Sequence, residues 1–340
     1  MDRDPDVLPA GSGPGLPPTR VTGRGRGWYR GDCHVHSRLS HAAELSPEQI
    51  VNDARAAGLD FIATTEHNRV DGHRGWGRCA TDDLLVVLGQ EVTTATGHWL
   101  ALGTAPEQSV DWRYRVRDDT IALQLEAVHR SGGLCVAAHP YAPYRSGTFM
   151  YSYDGFDAVE VWNGLWSSDR PWNADNEAAL AEWGRGLAAG ICAGRWRPAM
   201  GNSDAHLEGQ IGSPHTVVLA DQLSTEDILA GIRSGRSWIA GSAAIELALE
   251  VSAGDRTAGI GDLLQTCGES TLVEVRVQGV PAGDISVHTD QGMVHHQLLD
   301  DSGSASIRWH TSAEESSFVR IEVRHPDGQM AALTNPVLLG

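Results

Sequence analysis

Histidine, aspartate and glutamate recur through the first two thirds of the chain in short runs that could hold metal ions. The run Gly-Asp-Cys-His-Val-His-Ser, residues 31–37, places His34 and His36 two positions apart. On a strand that spacing puts both imidazoles on one face, where they could grip one cation. His41 follows five residues after His36. His67 lies in Thr-Thr-Glu-His-Asn, Glu91 ends Gly-Gln-Glu, His98 follows Gly97, and His139 lies in Ala-Ala-His-Pro. Asp204 and His206 are again two apart, in Gly-Asn-Ser-Asp-Ala-His. Imidazole and carboxylate are ligands for zinc and related divalent ions. A carboxylate such as Glu91 can bridge two cations about 3.5–4 Å apart, and cations so held lower the pKa of a shared water until hydroxide forms near neutral pH. That hydroxide would attack a phosphorus or carbonyl centre.

These residues fall where a particular architecture would gather them. Short apolar runs predict strands at Trp28–Val35, Phe61–Thr65, Leu84–Val92, Trp99–Gly103, Leu134–His139, Ala158–Trp162 and Ala199–Ser203. Helical patterns lie between them at Pro47–Ala57, Thr120–Ser131 and Ala174–Ala189, and a further one follows at Thr225–Ser234. The first has a capping box, Ser46 with Gln49, and Pro47 in its first turn. Ser224 and Asp227 repeat that logic. Strands alternating with helices imply a parallel α/β sheet or barrel, whose ligand face is at the carboxyl ends of the strands. The nine residues sit near those ends. Taken singly, His67 or His98 reads as a polar core residue, His139 as a strand end and Asp204 as a helix cap. Together they make a strand mouth that would be costly to bury without cations.

After about Ser242 the helical period disappears. Apolar and polar residues alternate at Ile245–Val251, Leu272–Val277, Ile285–His288, Ala305–Trp309 and Phe318–Val323, which predicts a small antiparallel β-sandwich. Three regions follow: an arm over 1–27, rich in Pro and Gly and expected to be disordered; a catalytic unit over 28–240; and a β-rich unit over 241–340.

The chain has 340 residues and a formal net charge of -18. A balance that acidic argues against nucleic acid as partner, which calls for a basic face. No Lys occurs, which excludes a lysine Schiff base. The five Cys are scattered and odd in number, so reduced thiols and a cytoplasmic location are expected rather than a disulfide framework. No apolar run suits a membrane span or a secretory signal. No P-loop or GxSxG anchors an NTPase or serine hydrolase.

The successive motifs, HxH, EHN, GQE, GH, AHP and SDAH, resemble those of the PHP (polymerase and histidinol phosphatase) superfamily over roughly residues 28 to 240. The resemblance implies a distorted (β/α)7 barrel and two or three divalent metals, zinc first, with manganese or iron as alternatives. It assigns His34 and His36 to a first metal with Glu91 and Asp204, and Glu91, His98 and His139 to a second. His41, His67 and His206 would hold a third. Glu91, Asp204 and His206 would then carry the reaction. Glu66 stands where many members have Asp, and is either a ligand or a partner that orients one. The short Glu91–His98 gap, Val-Glu-Val-Trp-Asn-Gly at 159–164, Gly-Arg-Ser-Trp at 235–238 and the late Thr-Asn-Pro resemble the CehA/McbA-type metallohydrolases. The expected activity is hydrolysis of a small phosphate ester by a metal-bridging hydroxide. The alternatives are an amide, ester or carbamate hydrolase on the same metals, and a metal-stabilised binding domain without turnover. Asp32 could orient a ligand. Trp162, Trp166 and Trp172 could line a pocket, with packing as the plainer role.

Overall fold

The computed structural model describes residues 15–79 and 82–340. Its first nine strands are β1 (Gly27–Val35), β2 (Phe61–Thr64), β3 (Leu85–Thr94), β4 (Gly97–Leu102), β5 (Leu134–Ala137), β6 (Ala158–Asn163), β7 (Ala199–Asn202), β8 (His215–Ala220) and β9 (Ser237–Ala240). The α-helices are α1 (Pro47–Ala56), α2 (His73–Trp76), α3 (Ile121–Arg130), α4 (Asn176–Gly190) and α5 (Thr225–Arg233). The capping box of α1 is present: Gln49 N donates to Ser46 Oγ and Ser46 N donates to Gln49 Oε1. An N-cap of this kind contributes about 1 kcal/mol. The buried face of α1, Ile50, Val51 and Ala54, packs with Val35, Ile62 and Val86.

The sheet runs β9-β8-β1-β2-β3-β4-β5-β6-β7. Pairing is parallel at β1/β2, β2/β3, β5/β6 and β6/β7. It is antiparallel at β3/β4, β4/β5, β1/β8 and β8/β9. The sheet curls until its far end returns: Val35 forms a parallel bridge with Ala205. Cys33 N donates to Asn202 Oδ1 at 2.9 Å, across the same seam. One apolar cluster accordingly draws on every strand from β1 to β8, with Cys33, Phe61, Leu85, Leu100, Leu134, Ala158, Met200 and Val218 among its members. Regular alternation of parallel strands and helices is not kept, because β3 and β4 form a hairpin with no helix between them.

The remaining strands are β10 (Glu246–Ala253), β11 (Arg256–Gly259), β12 (Leu263–Leu264), β13 (Thr271–Gln278), β14 (Asp284–Thr289), β15 (Gly292–Leu298), β16 (Ala305–Thr311), β17 (Phe318–Arg324), β18 (Met330–Thr334) and β19 (Val337–Leu339). A four-stranded antiparallel sheet, β11-β10-β13-β16, packs through Val251, Val273, Val275 and Ile307 against Ile285, Val287, Ile321 and Val323 of the strands that extend the main sheet. The C-terminal β layer expected from alternation is therefore seen, but it is not detached. β18 pairs with β9, Ala332 opposite Ala240 and Thr334 opposite Trp238, so hydrogen bonding runs straight across residue 240. Asn335, in the Thr-Asn-Pro run, ties the join: it donates to Ala199 O and Ser237 O and accepts from Ala199 N.

The arm expected over 1–27 is described from residue 15 on. Residues 1–14 lie outside the described residues. Arg20 bridges to Ser224, and Val21 is buried and donates to Leu223 O at 2.9 Å.

Candidate metal centre

Chain direction explains why ligands from unlike strands meet. His34 lies in β1 and His36 just beyond it, while His67, His139 and Asp204 follow the carboxyl ends of β2, β5 and β7. Because β4 is antiparallel to β3, its first residues return to that same end and bring His98 there. Glu91 is near the end of β3, and His67 forms a parallel bridge with it. His139 and Asp204 take positive φ, 26° and 51°. Non-glycine residues rarely adopt such angles, at a cost of order 1–3 kcal/mol, and keep them only where their surroundings hold them. The His139 amide is held by Glu160 Oε2 at 2.9 Å.

Glu91 is at the centre. Its Oε1 lies 2.9 Å from His98 Nδ1 and 3.2 Å from His139 Nε2. Its Oε2 lies 3.0 Å from His67 Nε2, 3.5 Å from His36 Nε2 and 3.6 Å from His34 Nε2. The two oxygens thus face two different sets of imidazoles. Asp204 Oδ1 is 3.0 Å from His36 Nε2, 3.3 Å from His34 Nε2 and 3.6 Å from His206 Nδ1. Three overlapping groups have ligand atoms all within 4.8 Å of one another: His34, His36 and Asp204; His34, Glu91 and His139; His36, His67 and His206. Spacing of that order suits a shared ion about 2.0–2.3 Å from each donor.

Eight of the nine residues singled out in the sequence are brought together here. His41 is not: it is exposed and lies outside all three groups. Its loop leaves the mouth after Ser40, whose hydroxyl is turned inwards to Glu66.

The donor set fits metal ions. His34 Nε2, His36 Nε2, His139 Nδ1, Glu91 Oε2 and Asp204 Oδ1 are buried without a hydrogen-bond partner. Buried polar atoms are nearly always satisfied, so orphans gathered on residues of these groups fit a place for cations. Protonation follows the same field. Burial alone would raise the Glu91 and Asp204 carboxyls, but the imidazoles of His67, His34 and His98 around Glu91, and of His34, His36 and His206 around Asp204, hold both well below the usual carboxylate range. Burial, with His67 close by, pushes His36 down to about 3, so it presents a neutral lone pair. Burial likewise lowers His98. Burial would also lower His34, but Asp204, Glu160 and Glu91 override it and raise it well above its usual value. Those acids demand positive charge, which a divalent ion would supply.

The groups behind the ligands were only partly foreseen. Glu160, in the Val-Glu-Val-Trp-Asn-Gly run, was not singled out. It is buried at the centre of the network. It accepts from His34 Nδ1 at 3.0 Å, His139 N at 2.9 Å, Asn163 Nδ2 at 3.0 Å and Asn202 Nδ2 at 2.9 Å. Its signal in the sequence is an acid inside an otherwise apolar strand. Glu66 faces away from the ligand groups and accepts from the hydroxyls of Ser37 and Ser40, each at 2.5 Å. Ser40 Oγ in turn accepts from His67 N and lies 3.3 Å from His36 Nδ1. Asp32 touches no ligand ring. It accepts from the backbone of His34, Ser203 and Gly212, and burial raises it to about 6 against those hydrogen bonds. Trp162 and Trp166 are buried and pack edge to face at 5.3 Å, whereas Trp172 is exposed.

Comparisons with known proteins find partial likenesses. Residues 186–237, from the second half of α4 to the start of β9, match a family model described as PHP-associated. An uncharacterised protein of Methanocaldococcus jannaschii is 25% identical over 155 residues, which cover 39% of this chain and 81% of that protein. A two-domain protein from Bacteroides vulgatus, with a domain predicted to be a PHP-like metal-dependent phosphoesterase, superposes with a TM-score of 0.48 at 16% identity, over 95% of this chain and 97% of the other. A lesion-specific endonuclease from Pyrococcus furiosus gives a TM-score of 0.42 at 18% identity, over 61% of this chain and 56% of that one. The likeness to the PHP-associated family model is confined to residues 186–237.

Proposed function

We propose that this chain is a metal-dependent phosphoesterase of the CehA/McbA type that hydrolyses a small phosphorylated substrate. The observation that carries the reading is Glu91, whose two oxygens face separate sets of imidazoles, as a carboxylate shared between cations would. His34, His36 and Asp204 would hold one ion with Glu91, His98 and His139 a second, and His67 and His206 a third. Zinc suits the His-rich set, with manganese or iron as alternatives. Divalent ions held there would supply an ionised water near neutral pH and positive charge against the developing oxyanion.

The chain's own residues do the rest. Glu160 holds the Nδ1 side of His34, which fixes the tautomer and turns Nε2 toward the centre. Glu66, through Ser40, sets His36 and His67. His206, half-buried at the edge, has its Nδ1 2.8 Å from Asp204 O, which leaves its Nε2 for the third ion. The β-rich segment gives no ligand to the three groups and serves packing, assembly or substrate selection.

The test is a screen of phosphomonoesters, phosphodiesters, carbamates and amides, with metal-loaded protein in heavy-oxygen water. Label in released phosphate on the first turnover supports the reading. Cleavage of carbamates or amides with no phosphoester turned over would replace it with the carbonyl reaction. Cleavage of abasic DNA in preference to small esters would replace the small-molecule substrate with nucleic acid.

A further inference from the structure

Asp204 has two carboxylate oxygens with different surroundings. Oδ1 faces His34 and His36, as described. Oδ2 lies 3.3 Å from Asn163 Nδ2, and the same amide nitrogen donates to Glu160 Oε2 at 3.0 Å. Asn163 is the last residue of β6 and is 8% exposed. It therefore joins the acid that orients His34 to the acid that faces the ions.

Asn163 is itself fixed across the loop that follows it. Asn176, the first residue of α4, is 2% exposed. Its Oδ1 accepts from Asn163 N at 3.0 Å. Its Nδ2 donates to the carbonyls of Asn163, Leu165 and Trp166, at 3.1, 3.0 and 3.1 Å. One buried amide thus pins both ends of the 163–176 segment. Gly164, with φ 57°, makes the sharp exit from β6 that this closure needs.

The C-terminal β layer then grips that segment from outside. Arg324 of β17 donates to both oxygens of Glu177, at 2.6 and 3.2 Å, and its guanidinium lies 5.4 Å over the Trp166 ring. Glu177 Oε1 also accepts from Trp166 Nε1 at 2.8 Å. Gln329 accepts from Ser167 N and donates to Ser167 Oγ. The β layer thus reaches the loop directly at Trp166 and Ser167, and indirectly through Glu177 of α4, while the loop's inner end, Asn163, meets Asp204.

We infer that Asn163, locked by Asn176, is the positioning residue that directs the Asp204 carboxylate at the metal centre, and that the C-terminal layer steadies it through Arg324 and Gln329. This rests on the metal reading above. The Asn163 amide on Oδ2 leaves Asp204 less freedom to rotate, so Oδ1 would be held toward the imidazoles before any ion arrives. The link to the C-terminal layer is the weaker of the two, since Arg324 and Glu177 are partly exposed and solvent screens their charges.

The test uses Co²⁺ alone as probe. Full-length protein, stripped with a chelator, is titrated with Co²⁺ while the visible absorption of the bound ion and the competing chelator are followed. Near-ultraviolet circular dichroism reports that each variant is folded. Asn163→Ala should weaken Co²⁺ binding about 10–100-fold and change the absorption envelope, as loss of a group behind a ligand does. Asn163→Ser serves in its place if the alanine variant does not fold. Arg324→Ala should weaken binding roughly 2–5-fold, as befits a screened pair, with Arg324→Lys restoring part of the loss. Arg308→Ala, which breaks an exposed pair with Glu274 in the facing four-stranded sheet, should change nothing. Folded Asn163 variants with wild-type affinity and spectrum would overturn the inference. Arg324→Ala indistinguishable from Arg308→Ala would overturn the role of the C-terminal layer. Wild-type protein that takes up no Co²⁺ would overturn the metal reading itself, and the inference with it.

Discussion

The imidazole of His34 and the carboxylate of Glu160 face each other across the curled sheet, Nδ1 to Oε1 at 3.0 Å, with both side chains fully buried. This contact decides which nitrogen of His34 points at the centre. Replacing Glu160 with Gln keeps the shape and removes the charge. Metal affinity should fall about 10–100-fold, the usual effect of losing a partner behind a ligating histidine. Competition with a chromophoric chelator measures it. An unchanged affinity would mean that His34 needs no such partner.

Glu66 and Glu91 should separate cleanly. Glu91 touches both sets of imidazoles, whereas Glu66 touches two serine hydroxyls. Glu91→Ala should lower the number of ions bound per chain as well as the rate. Glu66→Ala should keep the number and lose about 10–100-fold in rate, because only the orientation of His36 and His67 is loosened. Elemental analysis of both variants checks this. Equal loss of ions from the two would make Glu66 a ligand.

Acid sensitivity has a source away from the centre. His215 in β8 is fully buried, donates from Nδ1 to Gly212 O, and accepts at Nε2 from Arg30. Burial, with Arg30 adding to it, lowers its pKa from 6.5 to about 4. The folded chain therefore binds fewer protons than the unfolded one between these values, so stability is lost as pH falls from about 6.5 to about 4. The most this group can contribute is about 3 kcal/mol, from the pKa difference. His215→Gln should narrow the gap between urea midpoints at pH 7 and pH 4.5. The same gap in the variant would show that His215 does not titrate in this way.

Much of this was legible beforehand because short-range rules and tertiary structure agree. The seven strands expected over 28–203 are present to within two residues at each end, and Ser46 and Ser224 cap the helices they were expected to cap. The residues that cluster were legible because histidine is rare and cannot be hidden cheaply among apolar strands. Glu160 was passed over although it carries a comparable signal, since one acid in Ala-Val-Glu-Val-Trp reads as a motif position rather than a partner for a distant His34. β8 and β9 were missed because their pairing, antiparallel to β1 and to each other, follows no βα alternation. The order of Val21 could not be read from a Pro- and Gly-rich arm, because its partner Leu223 is two hundred residues away. His41 shows the reverse failure: its residue type and nearness to His36 fit a ligand, while the fold of the loop leaves it in solvent.

Glu91, Asp204 and the imidazoles around them lie together as donors to shared cations would. Elemental analysis of full-length protein, reconstituted with zinc, manganese or iron and then freed of loosely bound ions, tests it most directly. Two or three divalent ions per chain are expected, falling in Glu91→Ala. Fewer than one tightly bound ion per chain under every metal would contradict it.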